Sequence, residues 1–176
     1  MPDSDPDNTQ RTGRIMLILA WVGGLALLTV LFQDLLETRI NPNTNPVILQ
    51  GDDGRHRVIL DRNVQGHYVA TGQINGLPVT FLLDTGATDV AIPEDLAERL
   101  RLERLGGGIS QTANGPVAVW QTVLDSVRLG SLSVADVRAS ILPSMRGTDK
   151  VLLGMSFLKQ VEMENKGAML LLRSKY

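Results

Sequence analysis

At 176 residues the chain has room for one compact domain with appendages. Its formal net charge of −2 and its 4% aromatic content give no electrostatic or stacking case for a nucleic-acid surface. It has no cysteine, which excludes disulfides, thiol catalysis and thiolate metal sites.

Residues 1–14 are polar and include proline and glycine, a composition that predicts a disordered tail. Residues 15–32 read IMLILAWVGGLALLTVLF and carry no charge. At 1.5 Å per residue they reach roughly 27 Å, close to the hydrocarbon thickness of a bilayer. They predict a single transmembrane helix. No small-x-small cleavage site follows, and the apolar run is longer than a usual signal-peptide core, so the helix is expected to remain as an anchor. Arg11 and Arg14 precede the run, whereas Asp34, Glu37 and one Arg39 follow it. The positive-inside rule then places the N-terminus in the cytoplasm and the rest of the chain across the membrane. Residues 33–46 read as a linker that ends in the non-helical spacer Asn41-Pro42-Asn43-Thr44-Asn45-Pro46.

From residue 47 to 176 the pattern is mainly β. Strands are predicted at Val47–Gln50 and Arg57–Asp61, around a turn at Gly51-Asp52-Asp53-Gly54. Tyr68–Ile74 and Val79–Leu83 flank Asn75-Gly76, a strong hairpin signal. Phe81-Leu82-Leu83 is apolar on both faces and reads as a strand buried on both sides. Ile92–Leu100 reads as a short helix with Pro93 at its first position and acids in its first turn. Gly106-Gly107-Gly108 reads as a flexible break. Ile109–Thr112 and Val117–Leu124 bracket the turn Ala113-Asn114-Gly115-Pro116. Short strands follow at Val127–Leu129, Val134–Ala139 and Val151–Leu153, and a last hairpin at Val161–Glu164 and Ala168–Leu172. Residues 143–150 carry no clear signal. Short strands with glycine-marked turns predict a small closed barrel with one or two short helices.

Three segments carry chemistry or its support. Phe81-Leu82-Leu83-Asp84-Thr85-Gly86-Ala87-Thr88 puts a carboxylate just past an apolar strand, on a tight turn. Thr112-Ala113-Asn114-Gly115 marks a hairpin tip, and Val151-Leu152-Leu153-Gly154-Met155-Ser156-Phe157-Leu158 is an apolar strand ending on glycine. In this order and rough spacing the chain resembles the retropepsin-like aspartic proteases, in particular the bacterial membrane-anchored single-domain members. The resemblance runs from Val58 to Leu172, about two thirds of the chain.

The resemblance implies a retropepsin-like barrel and an aspartic endopeptidase acting on protein or peptide substrates, with no cofactor and no metal. Asp84 would be the catalytic carboxylate. The chemistry needs two carboxylates sharing a proton, and the chain offers one such turn, so the enzyme is expected to be a homodimer. Thr85 would bond across the dimer axis, Gly86 would let the backbone approach the dyad, and the Thr88 hydroxyl would orient the aspartate. Ala113, Asn114 and Gly115 would form a flap over the substrate, and Gly154 would be a packing position. The expected site of action is the bacterial inner membrane, with the catalytic domain periplasmic. The alternative is a barrel of the same fold serving as an inert binding or dimerisation module at the membrane. His56 and His67 show no metal-ligand spacing, and Gly154-Met155-Ser156-Phe157 does not complete the Gly-x-Ser-x-Gly of a nucleophile elbow, so Ser156 reads as structural.

Overall fold

The computed structural model describes residues 6–51, 54–112 and 115–175. The chain divides between Thr38 and Arg39 into two compact units.

The first unit is dominated by helix α1 (Pro6–Ile40). It is long and apolar enough to cross a membrane, a property that membrane spans and signal sequences share. Its apolar side chains, among them Ile15, Leu19, Trp21 and Leu27, are exposed. The helix outruns the expected span at both ends, taking in residues 6–14, read as a tail, and 33–40, read as linker. Gln, Arg, Leu and Glu in these flanks propagate helix readily once a nucleus exists. Pro42 disfavours helical geometry at Asn41, and the helix ends at Ile40.

Among its described residues the second unit holds eleven strands: β1 (Val47–Gln50), β2 (His56–Asp61), β3 (Val69–Ile74), β4 (Leu77–Leu83), β5 (Val90–Pro93), β6 (Gly106–Thr112), β7 (Gly115–Leu129), β8 (Leu132–Leu142), β9 (Lys150–Leu153), β10 (Val161–Lys166) and β11 (Met169–Ser174). Two short helices, α2 (Glu94–Arg99) and α3 (Met155–Leu158), and a 3₁₀ turn at Pro143–Met145 complete it. Seven strands form one sheet in the order β3-β4-β9-β5-β8-β7-β6. β3 also pairs with β7 through Gln73↔Arg128 and Ile74↔Val127, which closes six strands into a barrel and leaves β6 outside. This is the closed, mainly β barrel the sequence predicts. Gly72 stands at the closure: a Cβ there would lie 2.4 Å from the Arg128 carbonyl oxygen. A second sheet, order β1-β2-β11-β10, is antiparallel throughout. Val58, Leu60, Leu170 and Leu172 from this sheet share one core with Phe81, Leu124 and Leu129 of the barrel and Phe157 of α3.

Asn75 and Gly76 both take left-handed φ angles, 49° and 79°, the geometry of the two-residue turn that Asn-Gly favours. Other segments depart from expectation. Ile92 and Pro93 belong to strand β5, not to a helix, and α2 starts only at Glu94. All four β5 side chains are buried, and β5 pairs with both β8 and β9, so burial overrides the local helix signal. Gly106–Gly108 is not a break: it pairs with Val119–Gln121, and the Trp120 ring packs over Gly107. A long partner strand supplies the order that three glycines lack. Asp52, Asp53, Ala113 and Asn114 lie outside the described residues.

Residues 41–46 are non-helical as expected but do not stand free of the domain. Asn43 is 4% exposed. Its side-chain amide donates to the carbonyls of Asp61 and Val69, and its side-chain oxygen accepts from the Asp61 N–H. The Asn43 carbonyl accepts from the Thr71 N–H, and Asn41 donates to the Thr71 hydroxyl. Just upstream, the Ile40 carbonyl accepts from the Asn63 side chain. A segment rich in short amides can bond backbone in place of water, which the turn-rich composition alone does not reveal.

Candidate active site

β4 runs antiparallel to β3 and parallel to β9, with Leu83 opposite Leu153. Asp84 is the first residue past its end, and its N–H donates to the Leu153 carbonyl at 3.2 Å. The chain then turns back on its own carboxylate: the Gly86 N–H donates to Asp84 Oδ1 at 2.8 Å, and the Ala87 N–H to the Asp84 carbonyl at 3.3 Å. Such an Asx turn fixes the aspartate without any partner side chain.

The far side of the turn is gripped by α3. The N–H groups of Met155 and Ser156 donate to the carbonyls of Ala87 and Thr88 at 2.8 and 2.9 Å. The approach is so close that a Cβ at Gly154 would sit 2.2 Å from the Asp89 carbonyl oxygen and 2.8 Å from that of Ala87. Only glycine fits there. The Ser156 hydroxyl accepts from the Val90 N–H at 3.0 Å and donates to the Arg138 carbonyl at 2.8 Å, joining α3 to β5 and β8. Its role here is structural.

Asp84 stands in a cleft of about 590 Å³. Gly86, Ala87, Thr88 and Asp89 complete its floor; Ser110–Thr112 and Val117 of the β6–β7 hairpin form one wall; Leu142, Ser144 and Met145 form another. Ala91, Val117, Leu142, Met145 and Leu152 belong to one apolar cluster, so part of the cleft suits an uncharged side chain. Asp84 is half-buried, and Thr85, Gly86 and Thr88 are exposed. Gly86 and Thr88 line the cleft, while Thr85 is not among its lining residues. Among the described residues no hydrogen bond links Thr88 to Asp84; the Gly86 amide orients the carboxylate. Gly115 has a φ of 103°, and its carbonyl accepts from the Thr112 hydroxyl at 2.7 Å. Ala113 and Asn114, the rest of the expected flap tip, lie outside the described residues.

Sequence reasoning missed several cleft residues. Ser144 and Met145 come from the stretch that gave no signal. Asp89 carries a buried oxygen, Oδ1, with no hydrogen-bond partner among the described residues, although Arg138 Nη2 lies 3.7 Å away. A second carboxylate five residues after Asp84 was the signal available. No three His, Asp or Glu side chains cluster as a metal site among the described residues. A lone carboxylate can serve as general base or general acid, but cannot fill both roles at once.

Residues 70–160, just over half of the chain, match the family model described as "gag-polyprotein putative aspartyl protease". This chain belongs to the retropepsin-like aspartic protease family. Among relatives, an uncharacterized Sinorhizobium protein is 29% identical over 119 residues, 66% of this chain and 51% of its own length. An uncharacterized Rickettsia prowazekii protein is 27% identical over 106 residues, 58% of this chain and 45% of its own length. The chain thus spans about half the length of the curated relatives it matches. The crystal structure of a retropepsin-like aspartic protease from Rickettsia conorii is similar in fold, with a TM-score of 0.57 at 24% identity over 74% of this chain and 96% of that one. The retropepsin fold and the family are established on these grounds.

Proposed function

We propose that this chain is a membrane-anchored aspartic endopeptidase that works as a homodimer, each subunit supplying one Asp84 to a shared dyad. The observation that carries the reading is the Asp84 carboxylate itself, on an Asp-Thr-Gly turn, held by the Gly86 amide at the floor of an open cleft. The family's chemistry needs two such carboxylates, and the chain contains one such turn.

In the dimer the two Asp84 carboxylates lie roughly 3 Å apart, a separation at which one proton is shared and both cannot ionise. The ionised partner draws a proton from a bound water, which attacks the peptide carbonyl; the protonated partner donates to the carbonyl oxygen. Activity is highest on the acid side of neutrality, where the dyad holds one proton. Thr85, exposed in the single chain, bonds across the dimer axis. Gly86 and Thr88 border the dyad. Ala113, Asn114 and Gly115 cover an extended peptide that pairs with the β6–β7 hairpin as an added strand. Residues 15–32 of α1 span the bacterial inner membrane, with Arg11 and Arg14 on the cytoplasmic side and the protease domain, residues 47–176, in the periplasm. Residues 1–14 form the cytoplasmic tail and residues 33–46 the connection to the domain.

Full-length protein in detergent should cleave an unfolded protein substrate fastest between about pH 4 and 6. Asp84→Asn should remove that activity, and mixing wild-type with Asp84→Asn subunits should reduce it more than in proportion. Cleavage by the Asp84→Asn protein at the wild-type rate would overturn the reading. Protease protection in sealed inner-membrane vesicles tests the orientation: a domain digested from the cytoplasmic face contradicts it.

A further inference from the structure

The two walls of the cleft meet at one carboxylate outside it. Glu94, the first residue of α2, has a side chain only 12% exposed. Its Oε1 accepts from Arg104 Nη2 at 3.0 Å, and its Oε2 from Arg146 Nη2 at 2.6 Å. Arg104 lies two residues before β6, the strand that brings Ser110, Gln111 and Thr112 to the cleft. Its guanidinium also lies over the Trp120 ring of β7, 5.6 Å from the centroid, and 3.6 Å from Glu98. Arg146 follows the 3₁₀ turn that brings Ser144 and Met145 to the cleft. Two further contacts tighten that loop: the Gly147 N–H points to Asp95 Oδ2 at 3.4 Å, and the Met145 carbonyl accepts from the Thr148 N–H and hydroxyl.

The desolvation lies on the carboxylate, since the Arg104 and Arg146 side chains are 39% and 64% exposed. A largely desolvated carboxylate needs its charge-assisted bonds more than an exposed one does, and these bonds are the stronger kind. Each oxygen accepts from an arginine of a different segment, Arg104 just ahead of β6 and Arg146 next to Met145, so neither can move away without depriving half of a largely buried carboxylate of that partner. Nothing else among the described ion pairs joins the Pro143–Thr148 region to the approach of β6.

We propose that Glu94 is a positioning residue for substrate, which couples the Pro143–Thr148 loop to the base of the β6–β7 hairpin and so sets the grip of the cleft on a side chain seated against Met145. The consequence for substrate rests on the peptidase reading above; the coupling of the two walls does not. Glu94 is not among the cleft-lining residues, so the effect belongs to binding rather than to chemistry at Asp84.

The test compares full-length wild type with Glu94→Gln in detergent, by amide hydrogen exchange and by peptide cleavage kinetics. Glutamine keeps the shape but loses the charge and one acceptor. Exchange should rise together at residues 104–112 and 143–149, while β4 and β9 stay protected. KM should rise roughly tenfold, with kcat within about twofold of wild type. Loosening of one segment alone, of neither, or of the whole barrel overturns the proposal, as does a fall in kcat at unchanged KM. Joint loosening in Glu94→Gln, where the wild type itself cleaves nothing, upholds the coupling and removes the peptidase reading instead.

Discussion

The barrel and the four-stranded sheet are built from similar strands but handle their edges differently. In the barrel, β3–β7 pairing closes six strands on one another, and β6 alone hangs outside. Its central strands are short and apolar on both faces, as in Val90–Pro93, every residue of which is buried. The sheet leaves β1 and β10 as open edges, and its inner strand β2 alternates between buried and exposed positions. All four residues of β1 are exposed, three of them large and apolar. The aspartate sits on the closed part. A carboxylate oriented by the Gly86 amide of its own turn, whose backbone carbonyl is bonded by the Ala87 amide, needs a backbone that does not fray, and closure supplies that.

Three substitutions separate barrel, joint and sheet. The largest effect is expected in the barrel. Gly154→Ala places a methyl group 2.2 Å from a backbone oxygen that cannot step aside, so α3 must lift off the Asp84 turn. The expected loss is about 3 kcal/mol or more, read as a lower Tm of the full-length protein with faster amide exchange at residues 84–90. A melting curve like that of wild type would show that the turn does not depend on this contact.

The joint comes next. Asn43 bonds Asp61 of β2 and Val69 of β3, so one side chain ties the two sheets together. Asn43→Ala leaves the Asp61 N–H and two carbonyls without that partner. Urea titration should show about 2 kcal/mol of destabilisation. If residues 41–46 were merely a spacer, the cost would be near zero.

The smallest effect belongs to the open sheet. Glu164 on β10 pairs with Arg173 on β11, both partly exposed. Glu164→Gln should cost less than about 1 kcal/mol, and less still at high salt. A cost as large as that at Asn43 would mean that the sheet depends on charge rather than on Leu170 and Leu172 beneath it.

How legible the site was depends on how local its cause is. Gly154 was legible only as a packing position, since the backbone it approaches, at Ala87 and Asp89, is distant along the chain. Asp84 and Gly86 could be found in sequence because the turn that pairs them spans three residues. Strand β4 and the Asn75-Gly76 turn were readable for the same reason. The cleft wall at Ser144 and Met145 was not, because nothing between residues 143 and 150 has a period; its shape comes from Glu94 and Asp95, some fifty residues earlier in the chain. Residues 41–46 were read as spacer because Asn and Pro predict a turn whether or not a domain receives it. Gly106–Gly108 misled in the opposite direction: glycine predicts freedom, and a partner strand removed it.

The sequence by itself determined the apolar helix, the β character of the rest, and the aspartate at the end of an apolar strand, although Leu82 and Leu83 of that strand are only half-buried rather than buried on both sides as predicted. These depend on hydrophobic period and turn chemistry, which act over a few residues. The tertiary structure alone decided that β3 meets β7, that Asn43 joins the two sheets, and that one glutamate pairs with both Arg104 and Arg146. Those contacts join residues distant along the chain, and no local pattern encodes which distant partner a buried amide or carboxylate will meet.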